Sequence, residues 1–320
     1  MKTFTIVVPV YQNAQNLEVT IPRLLKLTDS ILTKLNIKTK LMFVDDGSTD
    51  SSYEILRRFC TQYKEQIEVL KLSRNFGQTP AIQAGLAHSK SDCTGIISAD
   101  LQDPPEIFIE MLTNWLEGEK YIIAERVDRV ENFTHRFISS LYWRMVAKYS
   151  MRGFPRGGYD FCLVDKQLAS LVSHTQEKNT SIFPLLFWFG FEPKVLSYQR
   201  QLRDRGTSTW TFVKKVRITI DTLIGFTYLP TRMISFSAIS TSFLALLYTF
   251  YVLGFWLLGD GSAPDGWTSI ALLILIIGGV VLFGLGVICE YLLRILDEVR
   301  SRPNFIVESH LNHKGNINEA

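Results

Sequence analysis

The stretch TGIISADLQDPPE, residues 94–106, joins an apolar run to two acids and then to a double proline. The run is short and contains β-branched residues, which is typical of a buried β-strand. Pro104 suits the first position of an α-helix, because the backbone N–H at that position has no partner inside the helix. The stretch therefore predicts a strand that ends in acids, followed by a helix from Pro104.

The same alternation of strand and helix extends along residues 1–127. Further helices are predicted up to about Leu35, from Asp50 and from Thr79, and further strands at TFTIVVPV (3–10), KLMFVDD (40–46), IEVLKLS (67–73) and YIIAERV (121–127). Alternation of this kind is typical of an α/β fold with a mostly parallel sheet and helices on both faces. In such a sheet the carboxyl ends of the strands form the ligand-binding edge. The polar groups at Pro9–Tyr11, Asp45–Asp46, Ser73–Asn75 and Asp100–Asp103 are therefore expected to gather there.

The acids of the opening stretch admit two interpretations. Asp103 falls at the predicted N-cap, and Glu106 three residues later would complete an acidic capping box, which accounts for Asp103 without a ligand. Asp100 closes an apolar strand, where a carboxylate is costly unless it meets a cation or hydrogen-bond donors. A site for Mg²⁺ or Mn²⁺ explains it better, since Mg²⁺ needs only one or two carboxylates beside phosphate oxygens and water.

The two loops that follow the preceding strands are equally ambiguous. Asp45 and Asp46 either belong to a turn, with Gly47 permitting it and Asp50 capping the next helix, or they accept the ring N–H of a nucleobase. Arg74 and Asn75 precede Gly77 in a tight loop that could contact an anion or a base. Neither G-x-x-x-x-G-K-[ST] nor G-x-G-x-x-G occurs, which disfavours ordinary ATPase and dinucleotide sites.

Two uncharged segments, residues 233–258 and 266–289, exceed the roughly 20 helical residues that cross a bilayer. Basic residues flank this pair, and the loop GDGSAPDG between them has none, so both termini are expected in the cytoplasm. Residues 212–229 are apolar with interspersed charges, which favours an interfacial helix or one packed on the soluble domain. A helix after the second span should stop before Pro303, and residues 310–320 are predicted to be a frayed tail.

The remaining composition mainly excludes functions. The four cysteines, Cys60, Cys93, Cys162 and Cys289, follow no zinc or disulfide pattern, and the five histidines are isolated in sequence. The net charge of +3 is small, and no nucleic-acid partner is indicated. The basic cluster beside the spans would instead attract anionic head groups or a phosphorylated lipid.

Six motifs follow one another along the chain before the two spans: VVPVYQNAQNL, FVDDGSTD, LSRNFGQ, SADLQDPPE, GGYDFCLVD and RQLRDRGTSTW. In this order they resemble family-2 glycosyltransferases that load sugars onto polyprenyl phosphates. Bactoprenol glucosyltransferases and dolichol-phosphate mannose synthases are the branches most alike, and RPNFIVE after the second span is similar to the bactoprenol branch. The resemblance implies a GT-A-type, Rossmann-like domain at 1–211. An interfacial segment at 212–231, two transmembrane helices at 232–293 and a cytoplasmic tail at 294–320 complete the predicted organisation.

The resemblance also implies roles for individual residues. Nucleotide binding falls to Pro9, Tyr11, Asn13, Val44, Asp46, Arg74, Ser98 and Ala99, and metal binding to Asp100, Gln102 and, beyond its capping role, Asp103. Asp160 occupies the family's candidate base position, with Arg126 and Arg203 beside it as catalytic residues. The acceptor phosphate would meet Arg126, Arg200, Arg203, Ser208, Lys214 and Lys215. Ser98 and Asn13 stand where the family has acids, and Thr209 stands where it has a lysine.

The reaction implied is inverting transfer of a hexose, glucose from UDP-glucose, to undecaprenyl phosphate at the cytoplasmic face of the inner membrane. A phosphate monoester has a second pKa of about 6, so the nucleophile is already mostly ionised. Asp160 is therefore either a base or a group that orients a sugar hydroxyl or an arginine. Mannose from GDP-mannose, an aminoarabinose-type sugar from UDP, and a non-catalytic nucleotide-sugar-binding adaptor remain alternatives, and homo-oligomerisation is left open.

Overall fold

The computed structural model describes residues 1–126, 155, 159–175, 177, 180–198, 234, 236–241, 243–244, 247–248, 250, 266–312 and 315–317. The chain divides into two units. The first comprises residues 1–222 together with the C-terminal residues 303–320, and the second comprises residues 223–302.

The first unit is built on a nine-stranded sheet with the order β7-β5-β6-β4-β1-β2-β3-β8-β9. Its strands are β1 (Lys2–Val10), β2 (Ile37–Asp45), β3 (Ile67–Leu72), β4 (Cys93–Ile96), β5 (Tyr121–Arg126), β6 (Cys162–Asp165), β7 (Lys194–Tyr198), β8 (Val307–Asn312) and β9 (Gly315–Ile317). β1 pairs in parallel with β2 and β4, β2 with β3, and β5 with β7. β6 is antiparallel to both β4 and β5. Strands β1 to β5 and β7 therefore end at one edge, here called the carboxyl edge.

Helices cover both faces of this sheet, as predicted. They are α1 (Ala14–Leu35), α2 (Ser52–Gln62), α3 (Gln78–His88), α4 (Ile107–Leu116), α5 (Lys166–Ser173) and α6 (Ile182–Trp188). Successive side chains of a strand point to opposite faces. Accordingly, Phe4, Ile6 and Val8 of β1 join a core cluster with α1, α2 and α4, whereas Val7 joins a separate cluster with α3. The predicted mostly parallel α/β fold is confirmed for the described residues.

The predicted start of the fourth helix at Pro104 is wrong. α4 begins at Ile107, after tight turns in which the N–H groups of Ile107 and Phe108 donate to the carbonyls of Pro104 and Pro105 at 3.2 and 3.1 Å. A residue that precedes proline is disfavoured in the helical region, and Pro104 precedes Pro105. The expected capping box is therefore absent.

The predicted frayed tail is also wrong. β8 pairs antiparallel with β3, and β9 with β8, which extends the sheet beyond its parallel part. Side chains reinforce this pairing: the ring Nε2 of His310 lies 3.4 Å from Glu68 Oε2, and the hydroxyls of Tyr53 and Ser309 are 3.2 Å apart. The sequence of the tail is polar, so its strand character depends on a partner that is distant in the chain.

The second unit contains the long helix α7 (Trp267–Val299), of which Ile276–Val299 is long and apolar enough to cross a membrane. It covers the second predicted span, and it ends before Pro303 as expected. Described residues between 234 and 250 are helical, but most of the first predicted span lies outside the described residues, so a membrane crossing by that span stays a prediction. The interfacial segment 212–231 also lies outside them.

Candidate active site

The loop after β1 is held by side chains of the loop after β2. The backbone N–H groups of Gln12, Asn13 and Ala14 donate to Ser48 Oγ, Ser52 Oγ and Asp50 Oδ2 at 3.0, 2.9 and 3.2 Å. Asp50 Oδ1 also accepts from the N–H of Ser52, the first residue of α2, at 3.1 Å, but the N-cap is Ser51, one residue later than predicted. Burial would raise the pKa of Asp50, but these hydrogen bonds outweigh burial and lower it. The side chains of GSTDSS, residues 47–52, therefore hold the loop after β1 in place at the carboxyl edge.

Asp46 holds the loop after β3 in place. Asp46 is only 3% exposed, and its two carboxylate oxygens accept from the N–H groups of Phe76 and Gly77 at 2.7 and 2.9 Å. Burial raises the pKa of Asp46, and the two hydrogen bonds oppose that rise. Gly47 lets this loop come close: its φ is +63°, and a methyl group there would lie 2.7 Å from Arg74 Cα. Asp45, fully buried, accepts from the N–H of Ser48 at 3.4 Å.

The residues predicted to bind the nucleotide occupy these adjacent loops and strand ends. Pro9 lies beside Val44 in the β1–β2 register, and Tyr11 after β1 is 45% exposed. The Arg74 guanidinium lies 4.0 Å from the Phe76 ring centroid, a cation–π distance, and donates to Asn75 O. Asn13 Oδ1 accepts from Asn16 Nδ2 at 2.5 Å. The fold brings these positions together, and their contacts with a nucleotide stay predictions.

The loop after β4 holds Asp100 at the carboxyl edge. Asp100 Oδ1 accepts from Ser98 Oγ at 2.9 Å and from the N–H of Gln102 at 3.4 Å, and Asp100 is half-buried. Between them, Leu101 has a φ of +44° and is only 8% exposed. A left-handed conformation costs a residue with a Cβ roughly 1 to 2 kcal/mol. The turn thus buries Leu101 in the core while the acid before it stays at the edge. Ala99 is anchored by its carbonyl, which accepts from Thr20 Oγ1 at 2.7 Å.

A second polar cluster joins the ends of β5 and β7 to the same loop. Arg126 Nη2 donates to both carboxylate oxygens of Asp160, and Arg126 Nε donates to the Tyr198 hydroxyl at 3.1 Å. The Tyr198 hydroxyl in turn donates to Asp103 Oδ1, which lies 3.6 Å from Arg126 Nε. Burial would lower the pKa of Arg126, but the carboxylates of Asp160 and Asp103 raise it, so the guanidinium stays charged.

This cluster contains both a predicted and an unpredicted element. Arg126 and Asp160 were predicted site residues, and the fold joins them directly. Tyr198 is a member of the cluster that the sequence does not predict, because no motif includes it and no strand is predicted over 194–198, where the structure has β7. Asp103 is fully buried and faces Tyr198 and Arg126 instead of capping α4, while the capping partner expected for it, Glu106, binds Arg23 at 3.0 Å. Further predicted positions lie outside the described residues: Arg200, Arg203, Ser208, Thr209, Lys214 and Lys215.

The side chains at the carboxyl edge suit only a metal ion that needs few protein ligands. Within the part of the chain that the structure describes, no three His, Cys, Asp or Glu side chains converge to hold an ion. Asp100 is half-buried at the edge, and Gln102, two residues on, is 7% exposed, so together they offer at most one carboxylate and one amide oxygen. Mg²⁺ accepts such an arrangement, because it usually keeps several waters and takes substrate phosphate oxygens besides one or two carboxylates. These residues fit an open site for a divalent cation, and their metal-binding role stays a prediction.

Comparison with known proteins identifies the class. The family model described as "Glycosyl transferase family 2" matches residues 5–168, just over half of the chain. The chain belongs to this family and is a glycosyltransferase, which confirms the resemblance found in its motifs.

Several relatives match nearly the whole chain, among them the following two. The "Uncharacterized glycosyltransferase YkcC" of Bacillus subtilis is 35% identical over 95% of this chain and 93% of its own length. The "SfII prophage-derived bactoprenol glucosyl transferase" of Shigella flexneri is 28% identical over 98% of this chain and 99% of its own. Among solved structures, a mannosyltransferase from Pyrobaculum calidifontis in complex with GDP-Man and Mn²⁺ aligns over 88% of this chain and 86% of its own. Its sequence identity is 14% and its TM-score 0.47, too distant for any conclusion about donor or metal.

Proposed function

We propose that this glycosyltransferase moves a hexose, glucose from UDP-glucose, onto polyprenyl phosphate at the cytoplasmic face of the inner membrane. The observation that carries the proposal is the match to a bactoprenol glucosyl transferase over 98% of the chain, which includes the sheet, α7 and β8. A similarity confined to the sheet would support only the use of a sugar donor. Because the similarity continues through the apolar helix, it also supports an acceptor that lies in the membrane.

The exposure of α7 supports a membrane location. The most apolar part of Ile276–Val299 is 0% buried inside the protein. Leu282, Phe283 and Leu292, for example, are 71%, 55% and 57% exposed. A core helix of a soluble protein would bury such side chains, because monomeric soluble proteins rarely expose contiguous apolar patches beyond a few hundred Å². We therefore propose an integral membrane protein with its sheet and both termini in the cytoplasm, following the distribution of basic residues.

Positions at the carboxyl edge suggest how the donor would be bound. The base and ribose would bind at the β2 and β3 ends beside Arg74, in the loop that Asp46 holds through both of its carboxylate oxygens, and Asp100 with Gln102 would hold a divalent cation. When bound, Mg²⁺ or Mn²⁺ would offset the negative charge that grows on a leaving diphosphate. Asp100 is oriented for this by the Ser98 hydroxyl, at 2.9 Å.

The ion pair of Arg126 and Asp160 suggests how the acceptor would be bound. A guanidinium group binds phosphate oxygens well, and it would reduce the repulsion between two polyanions at one site. Both oxygens of Asp160 already accept from Arg126. We therefore favour an orienting role for Asp160 over proton removal, which an ionised phosphate scarcely needs. Direct displacement at the anomeric carbon by that phosphate would invert its configuration.

A donor panel tests the proposal. Purified full-length protein in lipid nanodiscs would receive undecaprenyl phosphate, Mg²⁺ and labelled UDP-glucose, UDP-galactose, UDP-N-acetylglucosamine or GDP-mannose. We expect labelled glycolipid from UDP-glucose, with the product's anomeric configuration opposite to the donor's. Product from GDP-mannose alone would overturn the donor assignment. Donor binding without any glycolipid would identify a nucleotide-sugar-binding adaptor instead.

A further inference from the structure

We propose that residues 304–307, here called the post-helix segment, position the loop Ser73–Gly77 that carries Arg74 and thereby set the affinity for the sugar donor. The inference rests on the proposed function in one respect, namely that Arg74 lies at a nucleotide-sugar site. It goes beyond that function by giving the part of the chain that follows the apolar helix a role in donor binding.

The backbone of the post-helix segment is bound to the start of this loop. Val307 pairs with Leu72, the last residue of β3, and the N–H of Ser73 donates to Ile306 O at 3.0 Å. The β3–β8 register shifts between Lys71 and Leu72, which indicates a bulge at the carboxyl edge. Bulges are common next to active sites, where they redirect side chains. Here Val307 is directed into the core and is 8% exposed.

Side chains of the segment extend the contact to both flanks of the loop. Phe305 and Phe76 both pack against the core cluster that contains Val307, Leu72 and Ala81. Asn304 Nδ2 donates to Gln83 Oε1 of α3 at 3.1 Å and lies 3.4 Å from the carbonyl of Thr175. The segment therefore holds the strand that enters the loop, the loop itself and the helix that leaves it.

The opposite side of the loop is held by Asp46, through the N–H groups of Phe76 and Gly77. Arg74 thus sits in a loop fixed between the β2 end and the post-helix segment. The β2 end is local to the sheet, whereas the segment begins only five residues after α7 ends at Val299. Loosening the segment should leave the sheet folded but let the loop move, which weakens contacts of Arg74 with the donor.

The test compares two tail substitutions that remove side-chain hydrogen bonds. Asn304→Ala removes the bonds from its amide to Gln83 Oε1 and to the carbonyls of Thr175 and Glu177, whereas Ser309→Ala removes the bond between Ser309 and Tyr53, farther along β8. Full-length proteins in nanodiscs would be measured by hydrogen exchange of the peptide covering residues 73–77, and by KM for UDP-glucose. Losing a hydrogen bond corresponds to roughly a fivefold change, and the 3.1 Å bond to Gln83 is the shortest of the three contacts that the Asn304 amide makes. We expect Asn304→Ala to raise both loop exchange and donor KM by about that factor, with kcat within about twofold, and Ser309→Ala to change neither.

A second variant covers the case in which Asn304→Ala misfolds. Phe305→Leu keeps an apolar side chain and acts through packing, and it should shift the same two quantities in the same direction. The proposal is overturned if folded Asn304→Ala or Phe305→Leu leaves loop exchange and donor KM unchanged, or if Ser309→Ala changes them equally. If wild-type protein uses no UDP-sugar, the proposed function fails, and loop exchange alone then decides whether the segment positions the loop.

Discussion

The ends of β2 and β4 both place acids after a buried strand, yet the fold uses them differently. At the β2 end, Asp45 and Asp46 are 0% and 3% exposed, and Asp46 accepts two backbone N–H groups from the loop after β3. At the β4 end, Asp103 turns inward to Tyr198, but Asp100 stays half-buried beside the Ser98 hydroxyl.

The difference shows how a carboxylate becomes structural or ligand-binding. Backbone N–H groups of another loop commit Asp46 to holding that loop, because removing a buried acceptor leaves those donors unsatisfied. Asp100 accepts hydrogen bonds from the Ser98 hydroxyl and the Gln102 N–H within its own turn, and the left-handed Leu101 keeps it at the edge. We therefore expect changes at the β2 end to affect stability and changes at Asp100 to affect turnover.

The largest expected effect is that of Asp100→Ala. Turnover should fall by at least about 100-fold, because the variant removes the proposed anchor for a divalent cation that offsets leaving-group charge. The melting temperature should stay within about 2 °C, as is usual for substitutions outside the core. Glycolipid formation and thermal unfolding check both statements, with Asp29→Ala on the exposed side of α1 as the control. Retained turnover with unchanged metal dependence would refute the assignment.

Gly47→Ala should produce the largest loss of stability at the β2 end, about 2 to 4 kcal/mol. It combines a positive φ with a methyl group 2.7 Å from Arg74 Cα, so strain and overpacking add. Gly190→Ala is the matched control, since Gly190 has a φ of +78° and nothing within 4 Å of an added Cβ. Chemical unfolding should show the smaller loss, about 1 kcal/mol, for the control. Equal losses would mean that the close approach of the two loops contributes nothing.

Tyr198→Phe should reduce turnover by about tenfold. The phenol links Asp103 to Arg126, and a hydrogen bond to a charged group contributes roughly 1.5 to 3 kcal/mol. Tyr53→Phe also loses one phenol contact, to Ser309, but lies at the β8 pairing. Steady-state kinetics with varied acceptor should show a change only for the Tyr198 variant. If both variants behave alike, the second cluster does not couple the β4 loop to Arg126.

The smallest effect is expected for Glu68→Gln, which lies away from both strand ends. The hydrogen bond from His310 is the main cause that lowers the pKa of Glu68 to about 2, and Lys40 adds to it against the effect of burial. Because the folded pKa lies below the ordinary 4.5, the ionised carboxylate stabilises the fold above that pH. This contribution is lost as the pH falls towards 2.

Melting temperatures of the wild type and Glu68→Gln between pH 7 and pH 3 check this behaviour. The difference should correspond to about 1 kcal/mol near neutrality and shrink through the acidic range. A difference that grows on acidification would contradict the predicted sign and the role of Glu68 in binding β8.

Much of the fold could be predicted from sequence because its signals are local. The β-branched runs and helical periodicity identified the strands and helices of residues 1–126, and the Asp50 carboxylate binds the first N–H of α2, although Ser51 is the N-cap. The wrong predictions concern the start of α4 and the C-terminal tail, where residues adjacent in sequence indicate a different structure. Pro105 prevents Pro104 from starting α4, and the polar tail becomes β8 only by pairing with β3, whose residue Leu70 stands opposite His310.

The candidate site likewise has a part that the sequence predicts and a part that depends on distant segments. Its position, at the carboxyl edge where the strands that lead to Asp46, Asp100 and Arg126 end, follows from strand direction alone. The partner of Asp103 could not be predicted, because Tyr198 is 95 residues away in the chain and depends on how β7 pairs with β5.

The sequence by itself determined a mostly parallel sheet, the edge at which polar residues collect and an apolar helix able to cross a bilayer. These follow from side-chain periodicity and from runs of apolar residues, which act over neighbouring positions. Only the tertiary structure decided which acid supports a loop, which acid remains at the edge and which tyrosine joins the arginine. The physical reason is that a carboxylate's role depends on its burial and on its donors, and most of those donors come from distant segments that meet only in the folded sheet.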